Sequence, residues 1–448
     1  MRPRFLRSFV VAALGSCLVA ASASAQDQPL AITGAHIIPI AGEPIDGGTL
    51  IVHKGRIVAV GPAASVQVPQ GAQTIDARGK TIMPGLVDTH SHIGGIGGAD
   101  GSAPLQPDVR IYDSLNVRDS GFMRVRAGGI TTINIMPGSG HLLSGQTIYV
   151  KPRRPAGTIE DMFILDADGK PMGGLKMANG TNPQGDPPFP GTRGKAAALV
   201  RQQFIKAQEY RDKVRRARES GDPDKMPPRD IGLEALVEVL DGTRIVHHHT
   251  HRADDIITVL RLREEFGFRV VLHHVSEAWK VADQIAAAKV PCSMILVDSP
   301  GGKLEAAELT FKTAPILEQA GVLTAFHTDD WITDSRLWLR MAALGVRAGM
   351  SRKAALESLT INPAKMLDLH SRIGSLEAGK DADFIVLSGD PLSVYTHVEQ
   401  TWIEGVKVFD RGDEKDRLYA TGGFGAGHDQ SPYFCCFDHE HAVQTGGN

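Results

Sequence analysis

The chain predicts an α/β fold, a parallel β/α core that closes as a barrel, with a small β-rich side domain assembled from both chain ends. Three observations predict it. Apolar strands recur through the middle of the chain at 131–136, 244–249, 269–274 and 322–327, and amphipathic helices at 254–266 and 278–288 fall between the later ones. Strand-then-helix alternation gives a parallel sheet, and at 448 residues a barrel is its natural closure. Short β-rich pieces at 30–40, 49–52 and 56–60, parted by Gly47-Gly48 and Lys54-Gly55 as hairpin turns would part them, find counterparts at 382–387 and 400–409.

Composition narrows the function classes. The chain is 42% hydrophobic and 22% charged, which is ordinary for a globular protein with one large core and room for a smaller one. Its formal net charge of −3 and the lack of any basic run exclude nucleic acid as a partner. The first residues have the parts of a secretory signal: Arg2, Arg4 and Arg7, an apolar run over 9–21, then Ala23-Ser24-Ala25. Residues 1–25 therefore read as a signal peptide and the protein as exported, periplasmic or secreted. Leu14-Gly15-Ser16-Cys17 offers the alternative of a lipoprotein anchor at Cys17. No later stretch approaches the ~20 apolar residues of a membrane span.

Cleavage would leave Cys292, Cys435 and Cys436, an odd set that makes no disulfide framework. Cys435, Cys436, His439 and His441 form either a metal-binding run or a loose end of the Gly-rich tail, 413–448. Residues 180–229 hold a Pro/Gly-rich loop, a charged helix over 195–219 and a second polar loop. An insertion of this length is either a cover for a site or a surface excursion.

Histidines at strand ends carry the chemistry. In MPGLVDTHSH (83–92), His90 and His92 stand two apart, so they face one way at the C-terminal end of a strand, where barrel enzymes place their sites. Two neutral imidazoles on one face are half a metal site. In IVHHHTHR (245–252), His247, His249 and His251 share a side. The end position favours His249 as ligand, with His251 and Arg252 placed to touch substrate. His273 and His274 should point to opposite faces, so one of them at most is a ligand, and His274 ends the strand. Asp329 ends the last apolar strand, where a carboxylate can bind metal and handle a proton. His327 shares its face one layer deeper, and Asp330 points away.

These motifs, with GGITTINIMPGS (128–139) and ALESLTINPAKMLDLHSRIGSLEAGKDADF (355–384), resemble the amidohydrolase superfamily, nearest its imidazolonepropionase-like and Xaa-Pro-dipeptidase-like branch. The resemblance spans roughly residues 30 to 410. It implies a distorted (β/α)₈ TIM barrel (85–372, with the insertion at 180–229) beside a small β-sandwich made of 26–84 and 373–412. It implies His90, His92, His249, His274 and Asp329 as metal ligands, Asp329 also as general base. Lys176 becomes the candidate for a carboxylated lysine bridging two metals, its other reading being an ordinary lysine facing substrate or solvent. Zn²⁺ suits such ligands, as one ion or two; manganese, iron and cobalt suit them as well.

The chemistry then expected is hydrolysis of a C–N amide bond in a small molecule, such as a dipeptide or acyl-amino acid. Arg252 would grip a substrate carboxylate, and His141 and Tyr149 would stabilise the tetrahedral intermediate; a surface or structural role is the alternative for each. Hydrolysis or deamination of a cyclic amide or heterocycle is the second reading. A non-catalytic binding protein on the same scaffold is the third. A homo-oligomer is compatible with the sequence but not specified by it.

Overall fold

Alternating apolar residues at the two chain ends meet in one sheet. The computed structural model describes residues 27–95, 100–296, 303–330 and 332–422, so the leader motif and the Cys/His run of the tail lie outside the described residues. Strands β1 (Leu30–Ile37), β2 (Ile45–His53), β3 (Arg56–Pro62), β4 (Gln73–Asp76) and β5 (Thr81–Pro84) come from the N-terminal side. They join β15 (Phe384–Leu387), β16 (Val398–Ile403) and β17 (Val406–Asp410) in the order β17-β16-β15-β5-β1-β2-β3, with β4 beside β1. The junction is antiparallel, with Met83 opposite Ile385. Leu30, Ile32, Leu50 and Val52 share an apolar cluster with Phe384 and Trp402, whose rings stack 5.4 Å apart.

The strands between these ends read as nearly continuous apolar runs because both of their faces are covered. They are β6 (Leu86–Ser91), β7 (Ile130–Ile135), β8 (Leu143–Gln146), β9 (Ile148–Val150), β10 (Gly174–Ala178), β11 (Ile245–Thr250), β12 (Val270–His274), β13 (Cys292–Met294) and β14 (Thr324–Phe326). One sheet runs β6-β7-β9; the other runs β14-β13-β12-β11-β10-β8, parallel from β10 to β14. Backbone hydrogen bonds link the two sheets. Asp329 N–H donates to the His90 carbonyl at 2.9 Å beside a Ser91–Asp330 bridge, and Thr147 N–H donates to the Gly174 carbonyl at 2.8 Å.

Helices α1 (Gly121–Ala127), α2 (Arg193–Ser220), α3 (Ile231–Leu240), α4 (Ala253–Phe266), α5 (Ala282–Ala288), α6 (Thr313–Gln319), α7 (Leu339–Arg347), α8 (Arg352–Glu357) and α9 (Ile361–Met366) fall between or after the core strands, and α10 (Glu414–Thr421) follows β17. The helix expected over 278–288 is a short 3₁₀ turn followed by α5, because Val281 takes a non-helical φ of −131° between them. The last core strand is shorter than expected. Val322 N–H is spent on the Leu317 carbonyl, closing the end of α6.

The insertion divides its duties. Helix α2 starts at Thr192, whose hydroxyl accepts the Lys195 N–H, and packs Phe204 against Phe266 and Phe268 at 5.1 and 5.2 Å. It therefore lies on the flank of the core rather than over the site, while the loop before it reaches inward. The β domain is tied to the core by a buried cation: Lys151, just past β9, donates to Asp381 at 2.6 Å and lies 2.8 Å from Asp383 and 3.1 Å from Glu404.

Candidate active site

Strand β6 delivers His90 and His92 side by side, with their Nε2 atoms 3.2 Å apart. Asp329 Oδ1 lies 3.3 Å from the first and 3.0 Å from the second. The Met136 carbonyl, which can only accept, stands 2.8 Å from His92 Nδ1 and so fixes the proton there. His92 Nε2 then offers a lone pair to the site. His92 Nε2 and Asp329 Oδ1, both electron-rich and 3.0 Å apart, repel each other unless a cation lies between them. The spacing suits one, since ligands at ~2.0–2.1 Å in a tetrahedron stand roughly 3.3 Å apart.

Strands β11 and β12 supply a second group, His249, His251 and His274, whose ligand atoms lie within 4.8 Å of one another. His249 and His274 have ring centroids 4.3 Å apart, and His274 Nδ1 is 3.8 Å from Asp329 Oδ2. His249 Nδ1, His251 Nε2 and His274 Nε2 are buried with no hydrogen-bond partner. Buried orphan nitrogens are costly, so a missing partner of metal type fits them. Burial, then neighbouring positive groups, hold His90, His249 and His274 well below the usual imidazole range. They are neutral at pH 7, the form that binds a metal. Burial would push the Asp329 carboxyl up, but the pull of the groups that face it, the Lys176 charge among them, outweighs it and holds the carboxyl below the usual range.

Lys176, on β10, is fully buried with its Nζ 3.0 Å from His90 Nε2 and 3.1 Å from Met136 Sδ. The structure thus brings His90, His92, His249, His274, Asp329 and Lys176 to one centre, with His251 at its side. Tyr149 and Arg252 stand away from it. Tyr149 is buried below, with its hydroxyl 3.0 Å from His247 Nε2. Arg252 turns into a local bidentate pair with Asp254 at 2.9 and 3.0 Å. His141 is buried beside the Asp100 backbone, with its ring 5.4 Å from Phe189 of the insertion loop.

Alternation along β12 fails at its end. His274 and Val275 take φ of 69° and 47°, the left-handed region, which redirects the His274 side chain. In consequence His273 and His274 both approach His90, with centroids 4.9 Å away in each case. A second layer lies beneath the site, with His327 Nδ1 2.9 Å from Ser293 Oγ and its ring stacked on His90 at 17°.

Other contributors escaped the sequence reading. Asp88 accepts from the His90 and Thr328 amides at 3.1 and 3.2 Å and from the Thr328 hydroxyl, holding β6 to the end of β14. Asn182 Nδ2 reaches to 3.3 Å from His249 Nε2. Glu305 accepts the Thr181 N–H at 2.8 Å and lies 3.3 Å from Arg193. Gly180 permits this grip, since its φ is +84° and a Cβ there would lie 2.5 Å from Glu305 Oε2. The one available signal was Asp88 inside the DTHSH run; the others lie in loops without periodicity.

An Amidohydrolase family model matches residues 232–409. A crystallised amidohydrolase from Thermotoga maritima MSB8 is 35% identical over 85% of this chain and 100% of that chain, with a TM-score of 0.79. The chain belongs to the amidohydrolase family. Its fold is a TIM-barrel-like α/β core with an extra domain. Among curated relatives, amidohydrolase tasK of Hapsidospora irregularis is 29% identical over 81% of this chain but only 40% of its own length. A 5-methylthioadenosine/S-adenosylhomocysteine deaminase and an imidazolonepropionase of Symbiobacterium thermophilum are 26% and 23% identical, over 81% and 77% of this chain and 85% and 84% of theirs. This amidohydrolase therefore falls in the branch that its motifs indicate, and it is a hydrolase of carbon–nitrogen bonds. The family is metal-dependent, and the histidine and aspartate groups described above could hold the metal.

Proposed function

We propose that the protein hydrolyses the amide bond of a dipeptide, acyl-amino acid or similar small molecule at a zinc centre of one or two ions held by His90, His92, His249, His274 and Asp329. The observation that carries this reading is the crowding of His90 Nε2, His92 Nε2 and Asp329 Oδ1 within 3.3 Å, beside the orphan nitrogens of His249 and His274. A divalent ion there supplies Lewis acidity and makes water a competent nucleophile near neutral pH. Asp329 takes the proton of the attacking water and returns it to the departing nitrogen. Its low pKa keeps it ionised for the first of these steps. A carboxylated Lys176 would add anionic oxygens to the donor set, and His141, packed beside Phe189 of the insertion loop, would meet the substrate.

A second reading, hydrolysis or deamination of a cyclic amide or heterocycle, is favoured by the names of the Symbiobacterium relatives. Zinc-loaded protein assayed against dipeptides, N-acyl-amino acids, imidazolone-type rings and aminopurines separates the two. Release of a free amino acid supports the first, whereas ammonia release or ring opening without peptide cleavage overturns it.

We further read the core sheets as a distorted (β/α)₈ barrel over 85–372, closed through the Ser91–Asp330 bridge. The terminal sheet reads as a small β-sandwich of 26–84 and 373–412 folded over the cluster of Leu30, Leu50 and Trp402. The Arg2-to-Ala25 motif supports export.

A further inference from the structure

His90 is the end of a line of side chains that runs inward from the site. Its Nδ1 lies 3.3 Å from His273 Nδ1. His273 Nε2 lies 3.0 Å from His247 Nδ1, and His247 Nε2 lies 3.0 Å from the Tyr149 hydroxyl. His247 and His273 are fully buried, and so are His90 and, at 2% exposure, Tyr149. The chain folds specifically around this line: a Cβ on Gly174 would lie 2.3 Å from His247 Cδ2, so glycine there makes room for the ring.

A neutral imidazole donates from one nitrogen and accepts at the other, so a row of three has only two consistent proton arrangements. In the first, His90 Nδ1–H donates to His273, His273 Nε2–H donates to His247, and His247 Nε2–H donates to the Tyr149 oxygen. His90 Nε2 is then bare. In the second, Tyr149 O–H donates inward and every ring reverses, which puts the proton on His90 Nε2 and closes that atom to a cation. The two arrangements hold the same number of protons and no net charge.

We propose that His273, His247 and Tyr149 are positioning residues: a directional hydrogen-bond chain that holds the proton of His90 on Nδ1 and so keeps Nε2 open for the metal. The proposal rests on the reading of His90 as a ligand. Both inner rings are fully buried, and each has both of its nitrogens engaged within the row, so neither is left to another partner. Lys176 Nζ, 3.0 Å from His90 Nε2, lies on the side where a bare nitrogen is needed. Outer partners that fix the tautomer of a ligating histidine typically affect metal affinity by about 10- to 100-fold.

The test uses the full chain, stripped of metal and titrated with Zn²⁺ against a competing chelator. His273→Phe keeps the ring volume and removes the acceptor, and should weaken binding by about 10- to 100-fold. His273→Gln, whose amide oxygen can accept from His90, should recover most of the loss, and Tyr149→Phe should cost less than His273→Phe. Histidine-selective ¹⁵N spectra of zinc-loaded wild type should show His273 and His247 protonated on Nε2. Protonation of His273 on Nδ1 overturns the proposal even if His273→Phe does not fold, and so does wild-type affinity in a folded His273→Phe. The ligand reading fails separately, through wild type that binds no Zn²⁺ or His90→Ala that binds it unchanged.

Discussion

His274, at the end of β12, and Asp329, three residues past β14, have φ of 69° and 47°, a conformation that side-chain-bearing residues rarely adopt. Such positions cost of order 1–3 kcal/mol each and persist only where their surroundings hold them. Here the Asp329 N–H is held by the His90 carbonyl, so the carboxylate and the first histidine are fixed to each other through one backbone bond. If Asp329 is the proton carrier, Asp329→Asn should lower kcat by roughly 10²- to 10⁴-fold at saturating metal, with the far-ultraviolet dichroism unchanged. Activity within a few-fold of wild type would remove Asp329 from the proton path. Strand alternation made His90, His92 and His249 legible in the sequence because those residues lie on or directly beside extended strands. The same rule kept His273 away from His274, because φ at a strand end is not written in the residue types around it. Arg252 was legible only as a charge near the site; its pairing with Asp254 is a matter of local rotamer.

At the scale of elements, the core strands were readable to within a residue or two at most ends, since apolar runs of this kind must be covered on both faces. The five-residue β10 and the still shorter β8, β9 and β13 were not, having too little pattern to register. The charged helix of the insertion was legible, but not which face of the molecule it would cover. Phe204 decided that by stacking on Phe266 and Phe268. The join between core and β domain depends on Lys151, a buried cation among Asp381, Asp383 and Glu404. Burial and the neighbouring Asp381 and Glu404 charges push Asp383 up even against the Lys151 charge, so the cluster is already rich in negative charge. Lys151→Met would leave these carboxylates short of a counter-charge and should destabilise the fold by about 3–5 kcal/mol, read as a lower urea midpoint. A midpoint equal to wild type would show that Arg56, Arg153 and Arg372, which also pair with these acids, suffice to join the domains.

For the molecule as a whole, the two chain ends enclose the core strands in sequence and meet in a single sheet, and the site lies where β6, β11, β12 and the end of β14 converge. This much followed from strand order and the histidines that end those strands. Substrate choice did not, because the groups that could select it, His141, Asn182 and Phe189, lie in segments whose shape comes from contacts such as the Glu305–Thr181 bond. The account turns on the metal. An ion bound only by the folded state stabilises it by roughly 4 kcal/mol at about 1,000 times Kd. The direct measurement is the metal content of the purified full chain, taken with its thermal midpoint before chelation, after chelation and after Zn²⁺ is restored. One or two ions per chain, a midpoint that falls when they are removed and its recovery on reloading are the predicted results. A chain that holds almost no metal after reloading, with a midpoint indifferent to Zn²⁺, would contradict the account.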